Sequence, residues 1–390
     1  MERYVEAIER GLSRRLSEPV RKAFLTVERH RLLEGFYRWE GPEHFTWVAV
    51  NPDAPDWEVL QEVYSASPKG LPVKLSPQGD PTSSTSSPPL MAYMLEFLEL
   101  GPGMKVLEIG TGTGYNAALM AEIVGGQEFV TTLEIQPDLV ERARRLLHRA
   151  GYGGIKVFCT DGFYGWPENS PYNRIVGTTC CADISPHWLK QLAGEGWMLV
   201  PLYHGGETCA PLVRVDPEGK GKLLAGAGFA HAQGMLGGHA IWAEGVKSQL
   251  PGRGPGRKLL RLPNQFEFAR FVGYFHYFVA LNESNVCPPW SLPDQAMLLW
   301  DERSCEGAGL VWGEDGWVRI VGSERLMKRL EELYEAYEEL GRPSFEDYQM
   351  EFLVRPAPLE GKNAPRLRRV GLREWIIERR FTTQRVWLPA

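Results

Sequence analysis

The amino-acid sequence predicts an α/β protein built around a doubly wound parallel sheet. Apolar segments of strand length alternate with amphipathic segments of helix length between residues 104 and 202, and the connections between them are short. The first strand of this series leads into the loop Gly110-Thr-Gly-Thr-Gly114, in which glycine occupies every second position. Such a loop lets the backbone turn sharply and lie against a ligand, because a Cβ atom would obstruct the approach.

Composition narrows the classes of function. The chain has 390 residues, a formal net charge of −6 and 6 cysteines. The negative net charge does not favour binding to nucleic acid. No apolar run reaches the roughly 20 residues that are needed to cross a bilayer. The cysteines are too scattered for a disulfide scaffold, and neither they nor the histidines show metal-ligand spacing. We therefore expect a cytoplasmic protein with no nucleic-acid partner, no membrane partner and no bound metal. The oligomeric state cannot be predicted from the sequence.

An N-terminal segment, residues 1–80, precedes the alternating series. Two short amphipathic helices are predicted within residues 2–33, separated by a proline that fits the first turn of a helix. Residues 34–80 contain many prolines and are predicted to be irregular. The serine- and proline-rich run of residues 81–89 then leads into an apolar helix over residues 90–100.

A ligand-binding domain is predicted over residues 81–245, and its elements follow one another at short intervals. Further strands joined by tight turns are expected in the glycine-rich sequence after residue 226. The predicted strands cover residues 104–109, 128–135, 155–159, 173–179 and 196–202, and the predicted helices cover residues 115–124, 137–150 and 185–193.

A smaller α+β domain is predicted over residues 259–390, after a glycine- and proline-rich linker at residues 251–258. One long helix is expected from Glu324 to Leu340, because apolar residues recur there on one face and a glycine follows. Short strands are expected near residues 268–280, 296–300, 308–312 and 317–321.

Acidic side chains follow three successive strands of the predicted sheet. Glu108 lies at the end of the first strand, Glu134 at the end of the second, and Asp161 directly after the third. At such positions one acid accepts hydrogen bonds from ribose hydroxyls, and another accepts from an adenine amino group. The three acids therefore predict a nucleoside ligand. Glu108 would repel a pyrophosphate, and the glycine spacing differs from the dinucleotide fingerprint. S-adenosylmethionine is thus favoured, with a nicotinamide or flavin cofactor as the alternative.

The motifs around these acids resemble the protein-L-isoaspartate O-methyltransferase family. The similar segments are V-L-E-I-G-T-G-T-G-Y from residue 106, L-E-I-Q-P from residue 133, D-G from residue 161 with P-Y-N-R-I from residue 171, and the N-terminal helix sequence of residues 20–30. The resemblance implies a Rossmann-like methyltransferase sheet that uses S-adenosyl-L-methionine. The cofactor-binding residues that it implies are Glu108, Gly110, Thr111, Gly112, Gly114, Tyr115, Glu134, Ile135, Asp161 and Gly162.

The resemblance also assigns the acceptor side of the site. Members of the family carry a segment of the type I-S-Q-P or I-S-A-P before a helix, and its serine lies beside the reacting carboxylate. The matching segment here is T-S-S-P from residue 85, so Ser86 takes the catalytic position, with Ser84 and Ser87 as substrate contacts. Cys181, next to Cys180 after the fourth strand, is expected to line the substrate pocket without a chemical role. The alternative interpretation of the serine-rich run of residues 81–89 is a flexible linker.

The activity that the resemblance implies is methylation of an aspartyl or isoaspartyl carboxyl group in a peptide or protein. Among the departures from the family, the serine-rich run and the long C-terminal extension favour a branch that tailors ribosomally made peptides, in which the ester closes to an aspartimide. General isoaspartate repair, a nucleotide-linked oxidoreductase and a non-catalytic binding protein are alternatives. Five arginines would contact an acidic peptide or form a solvated face: Arg366, Arg368, Arg369, Arg379 and Arg380.

Overall fold

The computed structural model describes residues 1–41, 44–66, 70–203, 210–237, 256–286, 291–292, 294–301, 303–360 and 366–389. Residues 251–255 of the predicted linker and residues 238–245 of the predicted ligand-binding domain lie outside these ranges. The helices are α1 (Glu2–Leu12), α2 (Glu18–Thr26), α3 (Trp57–Val63), α4 (Pro88–Leu98), α5 (Tyr115–Val124), α6 (Pro137–Arg149), α7 (Pro186–Gln191), α8 (Gln265–Ala280) and α9 (Glu324–Glu339).

Within the described ranges the strands fall into four sheets. Their bounds are β1 (Gly35–Gly41), β2 (His44–Ala49), β3 (Leu71–Leu75), β4 (Pro81–Thr85), β5 (Val106–Ile109), β6 (Val130–Glu134), β7 (Lys156–Cys159), β8 (Tyr172–Gly177), β9 (Leu192–Pro201), β10 (Ala210–Val215), β11 (Lys220–Ala227), β12 (Arg257–Arg261), β13 (Ser291–Leu292), β14 (Gln295–Asp301), β15 (Glu306–Trp312), β16 (Trp317–Gly322), β17 (Gln349–Val354), β18 (Arg366–Arg369), β19 (Glu374–Glu378) and β20 (Thr382–Trp387).

The main sheet has 11 strands in the order β18-β19-β20-β17-β11-β10-β9-β8-β5-β6-β7. The neighbours from β9 to β7 pair in parallel, as the alternation of strands and helices predicted. From β10 onward the pairs are antiparallel. Because β11 pairs with β17, the sheet runs without a break from the predicted ligand-binding domain into the C-terminal region.

Helices cover both faces of the parallel strands, so the doubly wound arrangement is confirmed. On β5, Val106 belongs to the core that includes α1, α2, α4 and α5. Its neighbour Leu107 belongs to the core on the opposite face, with α7 and the C-terminal α8 and α9. Successive residues of a strand face opposite sides, and both are fully buried here because both faces are covered.

The structure corrects two expectations for the N-terminal half. Residues 34–80 are not irregular: they contain the β1–β2 hairpin, α3 and β3. The serine-rich run is not a flexible linker either, because residues 81–85 form β4, which pairs with β3 from Leu71 opposite Thr85 to Leu75 opposite Pro81. Proline is tolerated in this ribbon because a two-stranded sheet consists of edge strands.

The C-terminal region contains a second sheet of five strands in the order β12-β16-β15-β14-β13. Its helix α9 agrees with the predicted one. The segment 268–280 is wrongly predicted as a strand and lies in α8. Its aromatic residues favour strands individually, yet Phe268, Phe271, Phe275 and Phe278 recur at helical spacing and are buried. Burial of each such ring contributes roughly 1.5–3 kcal/mol, which outweighs local strand propensity.

The five C-terminal arginines differ in exposure. Arg366, Arg368 and Arg369 are exposed on β18, at the edge of the main sheet. Arg380 is half-buried. Arg379 is 2% exposed, so it neither lies on a solvated face nor can reach an acidic peptide at the surface. Among the described residues, no helix is long and apolar enough to cross a bilayer, and no cluster of histidine, cysteine or acidic side chains is arranged to hold a metal ion.

Candidate active site

A crevice lies at the carboxyl ends of β5, β6 and β8, where the helix crossovers of a parallel sheet leave room for a ligand. Two of the residues predicted for the site, Gly114 and Cys181, do not border it. The structure brings the other predicted residues together around the crevice: Ser84, Ser86, Ser87, Glu108, Gly110, Thr111, Gly112, Tyr115, Glu134, Ile135, Asp161 and Gly162.

The glycine loop forms the floor of this crevice between β5 and α5. Gly110, Gly112 and Gly114 have φ angles of +100°, +54° and +82°, in the left-handed region that side chains disfavour. A Cβ atom on Gly110 would lie 2.5 Å from the hydroxyl oxygen of Thr178. Gly114 instead caps the N-terminus of α5, where a Cβ atom would lie 2.8 Å from Leu147, so it allows α5 and α6 to pack closely.

Glu134 ends β6 and faces the crevice. One carboxylate oxygen accepts a hydrogen bond from the backbone N–H of Gly112 at 3.2 Å, and the other accepts from the N–H of Gln136 at 3.1 Å. Burial raises the pKa of this carboxyl, and the two backbone donors oppose that shift. Each carboxylate oxygen has capacity for a further donor, so the group is oriented toward hydroxyls such as those of a ribose.

Glu108 is held below the glycine loop. Its carboxylate accepts from the side-chain amide of Asn116 at 2.7 Å and from the hydroxyl of Thr132 at 2.6 Å. The residue is fully buried, and burial raises its pKa to about 7. Glu108 therefore supports the loop through α5 and β6, and a substantial fraction of it is neutral near pH 7.

Asp161 lies after β7 and is oriented by two backbone donors. Its Oδ1 accepts from the N–H of Phe163 at 2.9 Å, and its Oδ2 accepts from the N–H of Met235 at 2.8 Å. Gly234, with φ +67°, packs against the same carboxylate, and a Cβ atom there would lie 2.2 Å from Oδ2 and 2.7 Å from Ile135. The segment around Gly234 therefore closes the crevice beside Asp161.

Strand β4 crosses the glycine loop and carries the serine run over the crevice. A Cβ atom on Gly112 would lie 3.5 Å from the carbonyl oxygen of Ser84 and 3.6 Å from the hydroxyl of Ser83. Ser86 follows β4 directly and is half-buried at the crevice, whereas Ser87 is 7% exposed and is the N-cap of α4. The predicted catalytic serine thus lies within the same crevice as the glycine loop.

Arg29, in the short 3-10 helix after α2, holds this serine segment in place. Its guanidinium donates to the carbonyls of Thr85 at 2.8 Å, Ser86 at 2.9 Å and Val63 at 2.9 Å. The same group lies over the ring of Tyr115, 5.6 Å from the centroid. Arg29 is 1% exposed, so it is a buried link between the N-terminal segment, the serine segment and the glycine loop.

Cys181 is placed behind the crevice. It is completely buried, its thiol donates to the carbonyl of Thr179 at 3.5 Å, and burial raises its pKa to about 12. A thiol in this state is unreactive. Thr179 and Thr178 border the crevice in front of it. Cys180 is also buried, and its backbone N–H donates to Ala230 at 2.7 Å.

Sequence reasoning missed the segment of residues 228–236 as part of the site. It follows β11, and six of its described positions border the crevice together with Leu236. The glycine-rich composition suggested only strands and tight turns. The usable signal was Gly234, since an isolated glycine at a close backbone approach marks a place where a ligand or another side chain is near.

The crevice fits the nucleoside part of S-adenosylmethionine. The backbone of the glycine loop borders the crevice, and the carboxylates of Glu134 and Asp161 are oriented there by backbone donors and keep capacity to accept from the hydroxyls and the amino group of a nucleoside. Together with the doubly wound sheet, these features define a Rossmann-like methyltransferase domain.

Comparison with known proteins specifies the family. The family model described as Protein-L-isoaspartate(D-aspartate) O-methyltransferase (PCMT) matches residues 59–226 of this chain. A protein-L-isoaspartate O-methyltransferase from Thermococcus sibiricus is 33% identical over 246 residues, which are 62% of this chain and 95% of the relative. The chain belongs to the protein-L-isoaspartate O-methyltransferase family, whose members depend on S-adenosylmethionine. The predicted cofactor is thereby confirmed, and a nicotinamide or flavin cofactor is not supported.

Other relatives match a smaller part. Protein-L-isoaspartate O-methyltransferases from Methanococcoides burtonii and Ignicoccus hospitalis are 41% and 45% identical over 35% and 30% of this chain, and the matches span 66% and 56% of their own lengths. A solved protein-L-isoaspartate O-methyltransferase has a similar fold, with a TM-score of 0.50 and 24% identity over 90% of this chain and 95% of its own. That coverage includes most of residues 259–390, so the C-terminal region is not foreign to this fold.

Proposed function

We propose that this chain is an S-adenosylmethionine-dependent carboxyl O-methyltransferase that esterifies an isoaspartyl or aspartyl residue of a peptide or protein. The observation that carries the proposal is the crossing of β4 over the glycine loop, which puts Ser86 at the same crevice as Glu134 and Asp161. Family membership supports the reaction class.

The residues of the cofactor side have separable roles in this proposal. Glu134 would hold the ribose, Asp161 the adenine, and the backbone around Gly110 and Gly112 the amino-acid part. S-adenosylmethionine supplies an electrophilic methyl group on a positively charged sulfur. Glu108 supports the loop from below, because its carboxylate is already bonded to Asn116 and Thr132.

The acceptor side needs no general base. A peptide carboxylate is ionised at neutral pH, so the protein has only to exclude water and to align the nucleophile with the methyl carbon. The hydroxyl of Ser86 can donate a hydrogen bond to the acceptor carboxylate and orient it. The described residues that border the crevice include no lysine or arginine that could pair with that carboxylate.

Methyl transfer to a synthetic isoaspartyl peptide tests the proposal. Mass spectrometry should show the gain of one methyl group, followed by loss of methanol as the ester closes to a cyclic imide. An otherwise identical peptide with asparagine at that position is the control and should not react. A non-catalytic binding protein would show no transfer in the wild type or in Ser86→Ala, and that result would refute the proposal.

Two physiological roles are compatible with this reaction, and we favour general isoaspartate repair. The C-terminal extension does not favour peptide tailoring, because the structural match to a solved protein-L-isoaspartate O-methyltransferase covers 90% of this chain. Tailoring of a ribosomally made peptide, with an aspartimide as product, keeps one supporting observation, the serine-rich strand β4 at the acceptor side of the crevice.

A direct competition separates these candidates. A linear isoaspartyl peptide and a cyclised peptide carrying a normal aspartate are offered at equal concentration, and the esters are quantified separately. Repair predicts rapid turnover of the linear peptide alone. Exclusive methylation of the cyclised peptide would replace repair by tailoring without affecting the proposed reaction class.

A further inference from the structure

The turn between β19 and β20 is buried inside the protein, although it belongs to the C-terminal region. Arg379 and Thr382, at the two ends of this turn, are 2% and 0% exposed, and Phe381 between them is 4% exposed. A turn normally lies at the surface, because its backbone polar groups need hydrogen-bond partners. Here several of these partners lie in the loop that follows β8.

Asp183 in that loop accepts three of the turn's hydrogen bonds. Its carboxylate accepts from the backbone N–H of Phe381 at 2.6 Å, and from the N–H and hydroxyl of Thr382 at 3.1 and 2.5 Å. In the opposite direction the guanidinium of Arg379 donates to the carbonyl of Ala182 at 2.7 Å. The turn and the loop are thus joined by a buried carboxylate and a buried guanidinium.

The loop is in turn bonded to the segment that borders the crevice. The backbone N–H of Ala182 donates to the carbonyl of Leu236 at 2.9 Å. The preceding residue of that segment, Met235, donates its N–H to Oδ2 of Asp161 at 2.8 Å. Arg379 is therefore connected to the carboxylate of Asp161 through two backbone segments, the loop at Ala182 and the segment at Met235 and Leu236.

A second contact supports the other oxygen of the same carboxylate. The N–H of Phe163 donates to Oδ1 of Asp161 at 2.9 Å. The ring of Phe163 packs on the ring of Phe381, with 4.5 Å between their centroids. Both backbone donors that orient Asp161 are therefore supported from the β19–β20 turn, one through ring packing and the other through the loop.

We propose that the β19–β20 turn is a positioning element of the cofactor site, in which Arg379 and Phe381 keep Asp161 oriented toward the adenine amino group. The inference rests on the cofactor site described under Proposed function. It gives the C-terminal region a role in binding the methyl donor. A turn that serves only to anchor the C-terminal strands would affect stability and leave the ligand unaffected.

Calorimetry with S-adenosylhomocysteine on the full chain tests the proposal. Arg379→Gln should weaken binding about tenfold, and Arg379→Lys should restore part of the loss because it keeps one charged donor. Phe381→Leu and Thr382→Val remove smaller parts of the support and provide folded variants if Arg379→Gln does not fold. Arg385→Gln is the matched control. It lies on β20 and pairs with Glu374 at the surface, so binding should stay within about twofold.

An analogue of S-adenosylhomocysteine whose purine lacks the 6-amino group makes the test specific. Wild-type protein should bind this analogue more weakly, and Arg379→Gln should add little further loss, since both changes remove the same interaction. If the variants lose free energy of unfolding but bind both ligands as the wild type does, the turn is only an anchor and the proposal is wrong. If the wild type binds neither ligand, the proposed cofactor site itself fails.

Discussion

Two buried arginines reach the active-site crevice from opposite ends of the sequence. Arg29, after α2, is 1% exposed, and Arg379, in the β19–β20 turn, is 2% exposed. Arg29 donates to the carbonyls of Thr85 and Ser86 at the crevice, and Arg379 donates to the carbonyl of Ala182, in a loop behind the crevice. The two arginines differ in whether those carbonyls border the crevice and in which groups surround the buried charge.

Arg29 acts on the crevice directly. It bonds the carbonyls of Thr85 and Ser86, which themselves border the crevice, and its charge faces an aromatic ring and carbonyl dipoles. Arg379 acts at a distance, through Ala182, and it lies close to the carboxylate of Asp183. The comparison indicates that the acceptor side depends on one short contact, whereas the cofactor side depends on a longer chain of contacts.

Replacing Arg29 by alanine should have the largest effect, since the carbonyls of Val63, Thr85 and Ser86 lose a donor together. Each buried carbonyl left unsatisfied costs about 1–3 kcal/mol, so the serine segment should move. We expect the rate of methyl transfer to fall about a hundredfold, because displacement by about 1 Å is costly for an aligned reaction. The dissociation constant of S-adenosylhomocysteine should change less than about threefold. Steady-state kinetics and calorimetry measure the two quantities.

Arg21→Ala is the control for Arg29, because Arg21 pairs with Glu2 and Glu9 near the surface and its loss should leave the rate unchanged. Arg29→Lys keeps the charge with fewer donors and should fall between wild type and alanine. Loss of cofactor affinity without loss of rate in Arg29→Ala would remove the distinction between the two arginines.

Replacing Glu134 by alanine should give the opposite pattern. A charge-assisted hydrogen bond from a ribose hydroxyl is worth about 1.5–3 kcal/mol, so the dissociation constant of S-adenosylhomocysteine should rise at least about tenfold. The KM for the peptide should hardly change. Glu128→Ala, at an exposed site before β6, is the matched control. Unchanged affinity in Glu134→Ala would show that the cofactor assignment is wrong.

Ser86→Ala should reduce kcat about tenfold and leave cofactor affinity unchanged, since it removes one orienting hydrogen bond and no carbonyl contact of Arg29. The effect is smaller than that of Arg29→Ala because the segment keeps its place. Ser76→Ala, in the turn between β3 and β4, serves as control. Equal rates for wild type and Ser86→Ala on an isoaspartyl peptide would assign the orienting role to another residue.

The cofactor side could be predicted largely because its signals are local. The glycine loop, Glu134 and Asp161 each follow a strand that can be recognised from a few apolar residues, and parallel strands bring their carboxyl ends to one edge. Gly114 and Cys181 show where this reasoning stops. Both are close in sequence to residues of the crevice. Gly114, however, caps the N-terminus of α5, and Cys181 lies behind Thr179.

The remaining parts depend on contacts between distant segments. A buried arginine such as Arg379 is indistinguishable in sequence from the exposed Arg368, because both lie among charged and β-prone residues. Its partner Ala182 is 197 residues away. No periodicity in the sequence encodes such a pairing. The same is true of β4: its position depends on pairing with β3 and on hydrogen bonds from Arg29, and the serines of β4 do not reveal either contact.

The smallest expected effect concerns Glu108, a buried carboxyl whose hydrogen-bond donors Asn116 and Thr132 are both neutral. Its pKa is raised from 4.5 to about 7 by burial. The folded protein therefore binds more protons than the unfolded chain between these values. The stabilisation is fully present below the unfolded pKa and is lost as the pH rises through about 7.

Glu108→Gln should flatten the pH dependence of the free energy of unfolding between pH 4.5 and about 7, since the amide keeps the neutral form at every pH. Urea denaturation at a series of pH values measures this. Parallel curves for wild type and variant would mean that the carboxyl titrates in the folded protein as it does in the unfolded chain. A steeper fall in the wild type would show that hydrogen bonds from the neutral donors Asn116 and Thr132 do not offset the cost of burying the charged carboxylate.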